Sequence, residues 1–419
     1  MKIATVGLWH LGTITSLGLA DLGHSVHCFD ENKDVIQNFN LNIPVIYEPK
    51  VKKLLKKYLN RKLFFHSNFD NLKKFKVIFI TYDTKITEDD KSDINLLFNK
   101  IKIILKFISK NSTIIISSQI PVGFTNRIEK FEKRFIKKNT KISYFPENLR
   151  LGNSLNLFNK PDRIIFGTRD DKSKRILNKV FKKVDCLKFN VCPETAEMSK
   201  HVINSFLACS ISFINEIGQL SNKFNIPLSS LERCVKSDKR IGFKSYLKPG
   251  NAFSGGTLAR DLNFLIKLSK KFNTNSRVIN SIYKSNKHHS NWIQNFIKKN
   301  FKSKSSNILQ VGLSYKDNTS TVRRSLPFQI FKNLRKLYNI KFHDKDYILK
   351  TKEVVKYKKY YFNLNSTKKF NLLLIFSDKY DFKLLKKNIK KNSIILDANN
   401  SNINKKLFKN YNYISIENA

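Results

Sequence analysis

Apolar positions along the first thirty residues follow two rhythms. Residues 2–6 (Lys-Ile-Ala-Thr-Val) form a short β-type run that stops at Gly7, and Leu11, Ile14, Leu17 and Leu22 then recur at helical spacing. A second strand, Ser25 to Phe29, ends in Asp30. Buried-type strands return at Val77–Thr81, Thr113–Ser117 and Ile164–Gly167, separated by helical patterns. Such alternation predicts a parallel sheet covered by helices on both faces. The texture changes after Cys192. From Glu194 to about Lys236 the pattern is helical, with Met198, Val202, Phe206, Ile211, Ile214 and Ile217 near a 3.6-residue period. Helix resumes from Asp261 to about Lys299, unbroken by proline. A fresh β-run, Asn307–Gly312, opens a second α/β section with later strands at Ile340–His343, Leu372–Phe376 and Ser393–Asp397. No internal repeat or low-complexity linker interrupts this order. The chain thus reads as α/β over 1–192, helical over 193–302 and α/β again over 303–419.

The opening carries candidate chemistry. Strand, glycine turn, helix, strand and acid is the order of a dinucleotide-binding βαβ unit. Gly7 permits the tight turn and Gly12 the close approach of helix to strand, but Trp9 stands where a middle glycine normally lets backbone approach a pyrophosphate. Asp30 can bind a ribose 2′-hydroxyl and would repel a 2′-phosphate, which favours NAD over NADP. Gly7, Trp9, Gly12, Asp30 and Thr81, at the end of the Val77–Thr81 strand, are the candidate NAD contacts. A Rossmann-like domain that binds no nucleotide stays open on this segment alone.

Composition changes the picture in two ways. The 419 residues carry 79 Lys and Arg against 32 Asp and Glu, a formal charge of +47 that would ordinarily suggest a polyanionic partner. The basic residues are mostly Lys, in a chain also rich in Asn, Ile and Phe, all encoded by A/T-rich codons, and they are scattered rather than gathered into an arm. Nucleic-acid binding is therefore disfavoured. Five Cys without a C-x-x-C pair argue against a disulfide framework and a zinc site, and fit a reducing cytosol. No metal is expected. No apolar run reaches the length of about 18 residues that a membrane span needs. The N-terminus could pass for a signal peptide, but its glycine spacing is better explained by the dinucleotide turn. A cytoplasmic, multidomain protein is expected.

Later segments supply more specific signatures. They run in order: Tyr47-Glu48-Pro49; Ile120-Pro121-Val122-Gly123; Pro146-Glu147-Asn148-Leu149-Arg150 with Gly152; and Asn159-Lys160-Pro161-Asp162-Arg163-Ile164. Then come Ala196-Glu197-Met198-Ser199-Lys200, leading to Asn204 and Ile214-Asn215-Glu216, and Arg240-Ile241-Gly242. The stretch Gly250–Asp261 and Gly312-Leu313-Ser314-Tyr315-Lys316 with Thr319, Arg323 and Ser325 complete the series. Over nearly the whole chain this order resembles the UDP-glucose/GDP-mannose dehydrogenases, NAD-dependent nucleotide-sugar dehydrogenases. The resemblance implies an N-terminal Rossmann-like NAD domain, a central helical domain through which two copies dimerise, and a C-terminal domain for the nucleotide sugar. It also implies oxidation of a sugar 6-CH₂OH to a carboxylate with two NAD⁺, through a cysteine thioester and without a metal.

Carried over residue by residue, the resemblance makes Glu147 the acid linked to thioester hydrolysis. Lys200 and Asn204, four apart on one helical face, become the pair that polarises the C6 oxygen. Asp261 would orient water or accept a proton, and capping the following helix is the plainer role, one it could fill at the same time. Lys316 and Arg323 match positions that grip the nucleotide sugar, while Phe253, Gly255, Gly256 and Arg260 belong to the loop that wraps it. Several positions depart from the family. Thr257 stands where the nucleophilic cysteine belongs, and an alcohol needs an adjacent base to attack. Cys234, in the preceding sequence, is 23 positions away. Arg260 replaces a lysine, Gln119 replaces a threonine that would help to place water, and Trp9 replaces the middle glycine. The leading expectation is NAD-dependent oxidation of a nucleotide sugar without the thioester. Beside it stand a conventional UDP-glucose 6-dehydrogenase with an unassigned nucleophile and a non-catalytic nucleotide-sugar or NAD-binding protein of polysaccharide biosynthesis.

Overall fold

The computed structural model describes residues 1–84, 93–301, 306–314, 322–349 and 351–416, apart from the side chains of residues 346, 347, 402 and 403. The chain divides into two compact units, Met1–Val202 and Ile203–Ala419.

The first unit is built on eight strands: β1 (Lys2–Val6), β2 (Ser25–Phe29), β3 (Leu63–His66), β4 (Val77–Ile80), β5 (Thr113–Ile116), β6 (Lys141–Tyr144), β7 (Arg163–Gly167) and β8 (Leu187–Val191). Their order across the sheet is β3-β2-β1-β4-β5-β6-β7-β8. Pairing is parallel except where Tyr144 of β6 meets Gly167 of β7 in antiparallel sense. Strands β4 and β5 read Val-Ile-Phe-Ile and Thr-Ile-Ile-Ile and are buried at every residue, as expected where helices cover both faces. Each such side chain contributes about 2 kcal/mol of hydrophobic burial. The strand order reverses between β1 and β4, and the crevice beyond the strand ends at such a switch point is where open α/β sheets bind ligands.

Three strands of this sheet were not apparent from the pattern. The residues of β8, Leu-Lys-Phe-Asn-Val, form an edge strand with no buried position. Both β3 (Leu-Phe-Phe-His) and β6 (Lys-Ile-Ser-Tyr) are too short to show a clear period.

A 30-residue helix, Pro193–Asn222, begins in the first unit and continues into the second. There it is followed by helices Leu228–Ser237, Thr257–Lys271, Arg277–His289 and Trp292–Asn300. The two long helical stretches expected from periodicity are therefore divided. Asparagine in the left-handed region makes two of the breaks, Asn225 (φ 54°) and Asn273 (φ 58°), a stop signal that a search for proline passes over. The unit closes with a parallel sheet of β9 (Asn307–Val311), β10 (Asn339–His343), β11 (Phe370–Ile375), β12 (Ile389–Asp397) and β13 (Asn412–Ser415), ordered β10-β9-β11-β12-β13. Fully buried Leu309, Val311, Leu372, Leu373 and Leu374 put its centre in the core. The molecule is thus α/β, with a Rossmann-like N-terminal sheet, a helical middle and a C-terminal sheet.

Candidate active site

The dinucleotide turn lies at the switch point of the first sheet. Gly7 has φ +96°, and a Cβ there would fall 2.6 Å from the Tyr82 ring. A Cβ on Gly12 would fall 1.7 Å from the Gly7 carbonyl oxygen, so only glycine lets the helix His10–Asp21 start so close to β1. Trp9 has φ −79° and is 50% exposed, so the missing middle glycine leaves no backbone strain. Asp30 accepts the Leu8 N–H at 2.7 Å and the Asn32 N–H at 2.9 Å, which fixes its carboxylate beside the turn. Thr81 is placed differently from the other candidate NAD contacts. Its fully buried hydroxyl donates to the Gly7 and Val6 carbonyls at 2.8 and 3.0 Å, and so supports the turn from within. At the end of β5 the hydroxyls of Ser117 and Ser118 are buried without a partner among the described residues. The turn, the acid and these orphaned hydroxyls fit NAD.

Beyond β6 the segment containing Glu147 is tied to the turn by Glu48, the middle residue of Tyr47-Glu48-Pro49. Glu48 is buried and accepts the N–H groups of Gly152 (3.0 Å) and Ser154 (2.9 Å), with His10 Nε2 at 3.3 Å. Burial alone would raise its pKa, but these hydrogen bonds outweigh it and the carboxyl is held below its ordinary value. Glu147 turns one oxygen onto the Leu149 N–H at 2.7 Å. The Lys200 ammonium donates to the Glu147 carbonyl at 2.5 Å and lies 3.6 Å from its carboxylate, with the lysine side chain only 6% exposed. Lys200 is thus a buried, paired cation rather than one of the many solvated lysines. Gln119 is buried just after β5, where its carbonyl receives the Thr84 hydroxyl at 2.8 Å.

In the second unit Thr257 opens the helix Thr257–Lys271 behind Gly256. Its side chain is exposed and makes no hydrogen bond among the described residues. Asp261 does not cap this helix, as one expectation had it. It lies a full turn inside, entirely buried, and its carboxylate receives the Asn204 amide. Arg260 is buried beside it. Neither residue supplies Thr257 with a base.

The glycine loop ahead of Thr257 is clamped by Asn215, from the Ile214-Asn215-Glu216 motif, and by Asn286 and His289, which motif reading passed over. Asn286 donates to the Phe253 carbonyl (3.0 Å) and accepts its N–H (2.8 Å). Asn215 accepts the Gly250 N–H at 2.9 Å, and His289 Nε2 donates to the Gly250 carbonyl at 2.8 Å while its Nδ1 faces Gln219 at 3.0 Å. Burial lowers the His289 pKa, which keeps the ring neutral with its proton on Nε2. Gly255 (φ +78°) donates to the Arg324 carbonyl at 3.0 Å. Arg323 is exposed in the turn before helix Leu326–Leu334, whereas burial lowers the pKa of neighbouring Arg324. Lys316 and Thr319 lie outside the described residues. All five cysteines are free, and Cys209 packs into the small apolar cluster that also contains Leu258 and Phe253. Sequence distance gave no hint of that placement.

The chain is similar to known proteins in both sequence and fold. Residues 1–185 match the NAD-binding domain, and residues 194–288 the central domain, of the UDP-glucose/GDP-mannose dehydrogenase family. The chain is 32% identical over 345 residues to a UDP-glucose 6-dehydrogenase of Rickettsia bellii, covering 80% of this chain and 78% of that one. Its fold is similar to a UDP-glucose dehydrogenase from Pyrobaculum islandicum, with TM-score 0.89 at 22% identity over 100% of this chain and 98% of the other. It also resembles a UDP-D-ManNAc dehydrogenase from Pyrococcus horikoshii, with TM-score 0.84 at 21% identity over 100% and 99% of the two chains. With family models matching residues 1–185 and 194–288 and a relative 32% identical over 80% of the chain, the chain belongs to the UDP-glucose/GDP-mannose dehydrogenase family, the NAD-dependent nucleotide-sugar dehydrogenases.

Proposed function

We propose that this enzyme oxidises the primary alcohol of a UDP-sugar without covalent capture of the aldehyde. The observation that carries this reading is Thr257, an exposed hydroxyl that makes no hydrogen bond among the described residues, and the resemblance aligns it with the family's cysteine. NAD, when bound, accepts the hydride. Lys200, held by Glu147, supplies positive charge for the alkoxide that develops at C6. Asp261 holds the Asn204 amide, which presents a second polar group one helical turn from Lys200. Gln119 borders the reacting carbon, and Thr257 offers at most a hydrogen bond to substrate or water. Any second oxidation then proceeds through the hydrated aldehyde, whose gem-diol gives up a further hydride and a proton to become the carboxylic acid. Phe253, Gly255, Gly256, Arg260, Lys316 and Arg323 are assigned to the nucleotide sugar. Gly7, Trp9, Gly12 and Asp30 are assigned to NAD, with Thr81 as a support.

The division into a NAD domain (1–192), a dimerisation domain (193–302) and a nucleotide-sugar domain (303–419) belongs to the same proposal. So does a homodimer. Phe206, Phe213 and Leu220 recur at intervals of seven along helix Pro193–Asn222 and are each more than half exposed, a stripe that a second copy would cover. Light scattering at micromolar concentration should report a dimer. No helix among the described residues is long and apolar enough to cross a membrane. Free cysteines support a cytoplasmic location, and the scattered charge gives no ground for a nucleic-acid partner.

The test of function uses purified protein with UDP-, GDP- and CDP-sugars, counting NADH formed per sugar consumed. UDP-sugar turnover without a covalent adduct in quenched reactions is expected. A sugar ester or thioester on the protein would overturn the mechanism. Absence of any turnover would favour the non-catalytic binding protein, which the same Thr257 position also suits.

A further inference from the structure

We infer that Glu31 is a second determinant of the preference for NAD over NADP: it binds Lys100 and so withholds that ammonium from a 2′-phosphate. Glu31 follows Asp30 directly at the end of β2. Tyr82 follows β4, the strand that pairs with β1, and its ring packs against the dinucleotide turn at Gly7. The Tyr82 hydroxyl donates to one Glu31 oxygen at 3.1 Å, and Lys100 donates to the other. Lys100 stands on the helix Ile94–Phe107, with its Nζ 4.4 Å from the centre of the Tyr82 ring. Three separate elements thus bring an acid, a phenol and an ammonium together beside the turn. Burial, and then the charges of Glu31 and Asp30, raise the Tyr82 pKa, which keeps the phenol a donor.

A turn of this kind tells NADP from NAD at the 2′ position of the ribose, where an acid accepts the hydroxyl and a nearby cation accepts the phosphate. This chain carries both kinds of group. Asp30 repels the phosphate directly. Lys100 has a charge to offer it, but Glu31 holds that charge in an ion pair. The two side chains are 49% (Glu31) and 28% (Lys100) exposed, so the pair is open to an arriving dinucleotide. Exposed pairs of this sort are weak, and removing the Glu31 charge releases Lys100 without opening the core. The two neighbouring acids therefore act by different routes, Asp30 through the ribose and Glu31 through the lysine.

The inference rests on NAD binding at this turn and is tested by replacing only the charges. Glu31→Gln keeps an oxygen that can accept the Tyr82 hydroxyl and frees Lys100. Calorimetric titration of the intact chain should show NADP⁺ binding about tenfold tighter in Glu31→Gln than in the natural protein, with NAD⁺ changed by less than about threefold. Adding Lys100→Gln to Glu31→Gln should abolish the NADP⁺ gain. No gain in Glu31→Gln would overturn the inference. So would a gain that the double variant retains, since Glu31 would then act by its own repulsion and not through Lys100. An equal gain for NAD⁺ would overturn it as well. Binding of neither dinucleotide to the natural protein or to either variant would instead overturn the reading of the turn itself.

Discussion

Replacing Thr257 with alanine separates the two routes to a carboxylate. The structure sets the expected size of the effect. Thr257 is the first residue of its helix, its side chain is exposed, and it makes no hydrogen bond among the described residues. Alanine therefore opens no cavity and breaks no internal bond, and stability should change by no more than about 0.5 kcal/mol. If the hydroxyl donates one hydrogen bond to substrate or water, its loss costs about 0.5–1.5 kcal/mol, or about 2- to 12-fold in rate. A nucleophile behaves otherwise, because removing it leaves no route through a covalent intermediate. The assay is NADH formed per UDP-sugar consumed, with the product identified by mass spectrometry. Thr257→Ala should keep the natural stoichiometry and most of the rate. A variant that halts at the aldehyde where the natural protein reaches the carboxylate would refute this reasoning, and so would an ester on Thr257 in quenched turnover. Thr257→Cys gives the complementary reading, since a thiol has a usable thiolate fraction near neutral pH.

Three further outcomes follow. Gly12→Ala drives a Cβ to within 1.7 Å of the Gly7 carbonyl, so the turn must move, and the denaturation midpoint should fall by the equivalent of about 3 kcal/mol. Asp30, anchored by two backbone N–H groups, should make NAD bind more tightly than NADP, and competitive titration giving the reverse order would contradict that role. Acid should destabilise the fold through histidines that are buried or half-buried. Burial lowers the pKa of His24, His66 and His289, and brings His27 to about 4. The unfolded chain takes up these protons near pH 6.5 while the folded chain resists, so stability is complete above about pH 6.5 and is lost as pH falls toward about 4. The 3.0 Å contact between His27 Nδ1 and His66 Nε2 also requires one ring to remain neutral. Melting temperatures that stayed level between neutral pH and pH 5 would speak against this account.

What could be read from the sequence depended on how locally each feature is encoded. Strands β4 and β5 declare themselves because their residues are nearly continuous apolar runs, and β1 and β2 because they flank the glycine turn and end in an acid. Strand β8 does not, since its position at the sheet edge needs no apolar face. The turn residues Gly7 and Gly12 and the pair Lys200–Asn204 follow from spacing within one element. The partners that complete the site are distant in the chain. Asn286 and His289 reach the glycine loop from 33 and 39 positions away. No periodicity records such pairings. Even the start of the helix at Thr257, rather than at Asp261, follows from glycine geometry that apolar spacing does not register.

The Glu48 latch bears on how the chain reaches its native state. Its backbone donors, Gly152 and Ser154, lie 104 and 106 residues downstream. As the chain emerges during synthesis, the turn, the first helix and β2 are complete long before those donors exist. Glu48 must remain hydrated until then, since burying a carboxylate without partners is costly. The segment that carries it therefore docks late, once the chain beyond β6 has been made, and the loss of loop entropy it entails slows that step. A fragment ending before residue 152 would hold every strand from β1 to β6 and still lack the means to seal the turn.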